Sequence, residues 1–148
     1  MDVKPLFRLR LAAVAAASML LFAANASPAE ENPKVTELLK TIAGKENRPA
    51  GEVFKNVTML KDVPAGRFLR IMDMGYSRSL GVNCDHCHVE ERWEADEKRP
   101  KRAAREMMKL VQQINDSLSK MNEIDNSDPS VNCTTCHRGF VKPALQMK

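Results

Sequence analysis

Two five-residue motifs contain most of the residues that could carry chemistry. They are residues 84–88 (CDHCH) and residues 133–137 (CTTCH), and each has the pattern C-x-x-C-H, the attachment signature of a c-type haem. On one helical turn, positions i and i+3 share a face, so two thiols can bond to the two vinyl groups of one porphyrin. The imidazole at i+4 then points at the iron. The two motifs use all four cysteines of the chain.

The spacing therefore predicts two covalently bound haem c groups, each with one histidine as its proximal iron ligand. The predicted thioether cysteines are Cys84 and Cys87 for the first haem and Cys133 and Cys136 for the second, with His88 and His137 as the respective iron ligands.

Paired cysteines also occur in zinc ribbons and in thioredoxin-like redox sites. A zinc ribbon also has two C-x-x-C pairs, but about 15–20 residues usually separate them, and the stretch from Cys87 to Cys133 is far longer. A thioredoxin-like redox pair lies near a βαβ pattern, and the sequence shows none. Both comparisons favour haem attachment.

The helix predicted before the first motif carries a candidate sixth ligand. It begins at Asp62-Val63-Pro64 and runs to about Leu80, ending at Gly81. Met72 lies on its apolar stripe, whereas Met74 lies among arginines. The stripe consists of Phe68, Leu69, Met72, Tyr76 and Ser79. A methionine on such a stripe is also typical of ordinary core packing, and that alternative stays open.

The longest predicted helix precedes the second motif. Pro100 opens it, and it runs from Lys101 to about Met121. Met107 lies at the centre of its apolar stripe and Met108 on the flank, so one of them is the candidate sixth ligand of the second haem. Histidines cannot replace these methionines at both irons, because only three exist in the chain and the third lies within the first motif.

Three other segments complete the prediction of a mainly α protein. Asn32-Pro33 to Gly44 has the start and stop signals of a short amphipathic helix. Residues 52–60 lack a helical period and are predicted to be extended. Residues 90–102 mix both charges and are predicted to be a solvated loop around Trp93.

The two halves of the chain repeat one pattern. Each motif follows the dipeptide Val-Asn, at residues 82–83 and 131–132, and each comes after a helix with an inward methionine. The predicted architecture is a small multihaem c-type cytochrome of two repeats, each a helix followed by a haem-binding turn.

The first 26 residues have the pattern of a secretory signal peptide. A basic start precedes an apolar run from Leu11 to Ala24, and Ala24-Asn25-Ala26 is a cleavage site of the A-x-A type. The run has too few residues for a membrane span, which needs about 20. We therefore predict cleavage before Ser27, a mature chain without a transmembrane span and a periplasmic location, which suits haem c attachment.

The mature chain, residues 27–148, has the size of one domain. Its aromatic content is low, so haem is expected to supply much of the core. If each haem buries ~400 Å² of apolar surface, the transfer free energy is on the order of 10 kcal/mol per haem. Removing the signal peptide takes the 23 basic and 19 acidic residues to 20 and 18, and this near balance gives no indication of nucleic-acid binding.

The order of ligands resembles the photosynthetic reaction centre cytochrome c subunit family. Ordinary small cytochromes c place the ligating methionine after C-x-x-C-H, whereas here the candidates come before it. The resemblance covers about residues 52–143. It is carried by residues 56–62 (NVTMLKD), 68–72 (FLRIM), 84–89 (CDHCHV), 104–107 (AREM), 114–115 (IN) and 133–139 (CTTCHRG).

The resemblance implies that the first methionine of each helix binds iron, at positions Met72 and Met107. The family's subunit has four haems and more than twice this length, so the chain resembles a dihaem, half-length, non-photosynthetic relative. A lipid-bearing N-terminal cysteine of that subunit has no counterpart here.

Electron transfer between redox proteins is the predicted function. Two His/Met irons have no open position for a substrate, and the expected partners are periplasmic or membrane-bound redox proteins. The alternative is a small haem enzyme of the peroxidase type or a gas sensor, which would need one five-coordinate iron.

Overall fold

The computed structural model describes residues 31–146, and from Asn32 onward these form one compact unit. The predicted signal peptide, residues 1–26, lies outside the described residues. The described part is helical and has no strand, only two isolated β-bridges, so the predicted mainly α class is confirmed. The helices are α1 (Pro33–Thr41), α2 (Ala50–Val53), α3 (in three consecutive parts, Ala65–Arg70, Ile71–Ser77 and Arg78–Leu80), α4 (Cys84–Cys87), α5 (Arg99–Leu118) and α6 (Cys133–His137).

Helix α1 begins as predicted and ends at Thr41, three residues before the predicted stop at Gly44. The Asn32 side chain accepts a hydrogen bond of 2.9 Å from the Lys34 backbone N–H, and proline occupies the first turn, where its missing N–H costs nothing. The helix buries Val35 and, just beyond its end, Ile42 against α3. The hydrophobic core is small and consists of Val35, Ile42, Ala50, Ala65 and Leu69.

Helix α3 runs over the predicted range and ends at Gly81, which has a left-handed φ of 66°. Its middle part, Ile71–Ser77, is a π-helix. The wider turn of a π-helix changes which side chains share a face, and such turns are frequent at functional sites. Here the turn buries Asp73, whose carboxylate accepts hydrogen bonds from Asn32 at 3.1 Å and Arg78 at 3.2 Å.

The prediction that residues 52–60 are extended is wrong. Its start belongs to α2, and its remainder is a loop in which Asn56 and Leu60 have positive φ angles. The reason is long-range pairing of the backbone, because the N–H groups of Ala50 and Gly51 donate to carbonyls of Val63 and Lys61. Such pairing leaves no pattern in the side chains of residues 52–60.

Helix α5 begins at Arg99 and ends at Leu118, so it lies two to three residues earlier than predicted. Pro100 lies in its first turn, as the sequence indicated. Met121 is therefore outside the helix, and its side chain is exposed.

The π-helical part of α3 lies at the centre of the fold, where it contacts both α4 and α6. Helix α5 packs against α4, and α6 packs against the end of α3. The hydroxyls of Ser79 and Thr134 are hydrogen-bonded at 2.6 Å, and the Gly139 N–H donates to the Ser79 carbonyl at 2.8 Å. One helix therefore positions both C-x-x-C-H turns.

Candidate haem-binding sites

The first motif opens onto an apolar cavity of about 310 Å³. Its walls come from α1, α3, α4, α5 and the loop of residues 54–60. The predicted ligands and attachment residues that line it are Met72, Cys84, Cys87 and His88. Ligand pockets are usually concave, mainly apolar and of this size or larger. The structure thus brings together every residue predicted for the first haem.

The ring of His88 is held by one backbone carbonyl. Its Nδ1 lies 3.0 Å from the Trp93 carbonyl oxygen, and since a carbonyl can only accept, Nδ1 carries the hydrogen. Burial lowers the pKa of His88, which keeps the ring neutral and leaves a lone pair on Nε2. Iron-binding histidines characteristically have this arrangement, with the second nitrogen donating to a carbonyl or carboxylate.

The ring of His137 has the same type of partner. Its Nδ1 lies 3.0 Å from the Phe140 carbonyl oxygen. Helix α6 is fixed by a capping box between Asn132 and Thr135. Each C-x-x-C-H histidine therefore presents Nε2, although the two rings use different carbonyls, five and three residues downstream.

Helix α5 holds the segment before the second motif through Asn115. The Asn115 amide donates to the Val131 carbonyl at 3.0 Å and accepts from the Val131 N–H at 2.7 Å. Both backbone polar groups of Val131 are satisfied by one side chain. In the sequence, Asn115 is part of the pattern shared with the family, but that pattern does not indicate its role.

The two candidate methionines of α5 have different surroundings. Met108 is half-buried and lines the cavity of the first motif, whereas Met107 is 43% exposed. In α3, Met72 lines that same cavity and Met74 is 52% exposed, as the stripe predicted. The first motif thus faces a methionine from α3 and a second methionine from α5.

The thiols of Cys84, Cys87 and Cys133 do not have the character of catalytic nucleophiles. Burial raises the pKa of Cys84, Cys87 and Cys133, whereas reactive cysteines have a lowered thiol pKa. All four cysteines are free, and within residues 31–146 no cluster of three or more His, Cys, Asp or Glu is arranged to hold a metal ion. The cysteine pairs therefore do not converge on one site.

Residues 90–102 are more structured than predicted. Many of their charges are exposed, but Lys101 is buried and donates to the carbonyls of Trp93 at 2.8 Å and Ala95 at 2.9 Å. Asp96 pairs with Lys101 at 3.2 Å and Arg105 at 2.8 Å, and the hydrogen bond from Arg105 is the main cause of a lowered pKa of Asp96. The mixed charges of this segment indicate only solvation. The bonds of Lys101 to two backbone carbonyls and its ion pair with Asp96 depend on the folded chain, so a charge pattern does not reveal them.

These observations together define a class of protein. Two C-x-x-C-H turns lie on a helical framework, each histidine has its Nδ1 bonded to a carbonyl, and methionines lie on the helices upstream, which is the donor set of a c-type cytochrome. The chain belongs to the photosynthetic reaction centre cytochrome C subunit family, whose sequence profile matches residues 19–146.

Individual relatives show the same likeness. The chain is 35% identical to the photosynthetic reaction center cytochrome c subunit of Thermochromatium tepidum over 95 residues, which is 64% of this chain and 22% of that protein. The corresponding subunit of Roseobacter denitrificans is 33% identical over 99 residues, 64% of this chain and 26% of that protein. Cytochrome c-554 of Chloroflexus aurantiacus is 33% identical over 82 residues, 55% of this chain and 20% of that protein.

The chain thus spans about a quarter of the length of the relatives it matches. The family is one of c-type cytochromes, so covalently bound haem c follows from membership. Within the described residues, no helix has the length and apolar character needed to span a membrane.

Proposed function

We propose that this chain is an exported electron carrier with two His/Met-ligated haem c groups. The main support for the proposal is that His88 and His137 make the same type of hydrogen bond. In each residue, Nδ1 lies 3.0 Å from a backbone carbonyl oxygen. A bound haem supplies a one-electron Fe³⁺/Fe²⁺ couple, whose potential methionine ligation raises.

The residues of the first site bind and orient the group. Cys84 and Cys87 would form its thioethers, His88 would supply Nε2, and Met72 of α3 would supply Sδ. The apolar walls of the cavity would exclude water from the bound group, and the histidine and methionine together would leave its iron no position for a substrate.

The second site is proposed to use Cys133, Cys136, His137 and Met107. Met108 lines the cavity of the first motif, which leaves Met107 as the methionine of α5 for the second haem. Asn115, eight residues further along α5, keeps this helix attached to the second motif.

Both motif turns contact the π-helical part of α3, which supports a short distance between the two haems. One haem would accept an electron from a redox partner and the other would pass it on. The proposed partners are periplasmic or membrane-bound redox proteins, and the predicted signal peptide in residues 1–26 would direct the chain to the periplasm.

The test is the near-infrared absorption of the oxidised holo-protein, quantified per haem. His/Met ligation gives a weak sulfur-to-iron charge-transfer band, and we expect intensity for two haems. Met72→Ala should remove half of this intensity, and Met107→Ala the other half.

Neighbouring methionines provide matched controls. Met74→Ala and Met108→Ala remove the same side chain from the same two helices, and both should keep the full band. If Met108→Ala halves the band and Met107→Ala does not, the assignment of the second ligand is wrong. If the unaltered protein shows the band of one haem and a high-spin signal from the other, one iron is open, and a peroxidase or gas-sensing function replaces electron transfer.

A further inference from the structure

The two histidine rings differ in what else their carbonyl partners bind. The Trp93 carbonyl oxygen accepts from His88 Nδ1 at 3.0 Å and also from the Lys101 ammonium at 2.8 Å. In residues 31–146, the Phe140 carbonyl oxygen accepts a hydrogen bond from His137 Nδ1 alone. The Lys101 ammonium and His88 therefore share one carbonyl oxygen. In the described part of the chain, no cation shares a carbonyl oxygen with His137.

The Lys101 cation is held in place by the fold. Its side chain is 10% exposed, and its ammonium also contacts the Ala95 carbonyl at 2.9 Å and the Asp96 carboxylate at 3.2 Å. Asp96 is shared with Arg105 at 2.8 Å, so the carboxylate does not cancel both positive charges. Solvent and salt screen a buried charge much less than an exposed one.

We propose that Lys101 raises the reduction potential of the haem at the first motif above that of the haem at the second. This inference rests on the proposed dihaem function and makes Lys101 a positioning and tuning residue, not an iron ligand. It concerns the order of the two potentials, which the ligand set alone leaves undetermined.

Two effects of Lys101 act in the same direction. Oxidised iron has one more positive charge than reduced iron, so a nearby buried cation disfavours the oxidised state. The ammonium also competes with His88 Nδ1–H for the Trp93 carbonyl, which weakens the bond that would make the imidazole a stronger electron donor. A weaker donor stabilises oxidised iron less, and the potential rises.

Among the described residues, no lysine or arginine other than Lys101 is buried, and none donates to the Phe140 carbonyl; Arg138, next to His137, is exposed. The His137 to Phe140 bond is exposed, and the Phe140 side chain is 67% exposed. At an exposed site, solvent screens nearby charges more strongly than at a buried one and would solvate the oxidised state. Surroundings of this kind give the lower of the two potentials.

The experiment is a spectroelectrochemical titration of the holo-protein, in which each haem gives a one-electron wave. Met72→His and Met107→His assign the waves, because replacing methionine by histidine lowers the potential of that haem alone. In the unaltered protein, the first haem should have the higher potential. The opposite order would overturn the proposal without any variant of Lys101.

Lys101→Met keeps the length of the side chain and removes its charge. The wave of the first haem should shift to lower potential while the wave of the second stays, and Lys101→Arg should restore most of the shift. Lys109→Met, an exposed charge on the same helix, should leave the first wave unchanged.

A spectroscopic measurement separates tuning from a general structural effect. In the reduced protein, loss of the ammonium should strengthen the His88 Nδ1–H bond to Trp93, so that its proton resonance moves to higher frequency. The His137 resonance should stay. Equal movement of both resonances, or an unchanged first wave in Lys101→Met, would contradict the inference.

Failure of the proposed function would be recognised separately. A haem count below two, or a near-infrared band for fewer than two methionine ligands, would refute the dihaem carrier itself. Two His/Met haems with potentials that do not respond to Lys101→Met would refute only the role of Lys101.

Discussion

At the scale of single residues, Gly81 connects the two halves of the fold. It ends α3 with a φ of 66°, and a Cβ built on it would lie 2.1 Å from the Gly139 carbonyl oxygen. Gly139 is the second residue after the second motif and donates its own N–H to the Ser79 carbonyl. The close approach of two backbones therefore requires glycine at position 81, because any side chain would displace the second motif from α3.

Gly81→Ala is expected to lower the free energy of unfolding by about 2 kcal/mol or more, because a clash with backbone is added to the strain of a left-handed alanine. Gly44→Ala is the matched control, since Gly44 has a φ of 79° and nothing within 4 Å of the added Cβ. It should cost about 1 kcal/mol. Urea denaturation followed by circular dichroism measures the free energy of unfolding of both variants. Equal decreases would show that the contact with Gly139 does not contribute to stability.

At the scale of elements, α3 and α5 carry the two methionines proposed as iron ligands and also hold the motif turns. In the π-helical part of α3, Met72, Asp73, Tyr76 and Ser77 all line the cavity of the first motif. Burial raises the pKa of Tyr76 well above its usual range, so its phenol stays neutral. Helix α5 faces the first cavity with Met108 and holds the second motif with Asn115, so a single helix serves both sites.

Asn115→Leu should loosen the second motif while the first stays intact. The change leaves the N–H and C=O of Val131 without their side-chain partner, and an unsatisfied buried group costs about 1–3 kcal/mol. We expect lower thermal stability and faster ligand exchange at the second haem, measured by the binding of imidazole to the oxidised protein. Gln112→Leu, on the exposed side of α5, is the control, and the same behaviour in both variants would contradict a specific role of Asn115.

At the scale of the whole molecule, the apolar core is too small for the length of chain it must order. Five hydrophobic residues are buried in the described part, two of them alanines, and no large side chain there is fully buried. Small domains with such cores usually depend on disulfides, metals or cofactors. The cavity at the first motif is also apolar, so haem is expected to complete the core.

The chain without haem should therefore not fold cooperatively. Replacing all four cysteines by alanine and purifying the protein free of haem tests this, with circular dichroism at 222 nm as the measurement. We expect a reduced helical signal and no sharp thermal transition. The double variant that lacks only Cys84 and Cys87 is the comparison, and a cooperative transition in the haem-free protein would show that the polypeptide core is sufficient.

Sequence alone determined the features that depend on local spacing. The C-x-x-C-H turns, the start of α1, the end of α3, the inward face of Met72 and the outward face of Met74 all follow from residues within one element. Periodicity and capping report such local geometry directly, and this is why the fold class and the family were predicted correctly.

Tertiary structure decided the features that depend on backbone atoms and on contacts between elements. The histidine partners are the carbonyls of Trp93 and Phe140, and since every residue has a carbonyl, no residue type marks them. The burial of Lys101, the π-helical turn in α3 and the loop at residues 54–60 likewise arise from long-range hydrogen bonds and packing. A sequence pattern shows which residues share a face of one helix. The features listed here depend on contacts between two elements, so a pattern within one element does not predict them.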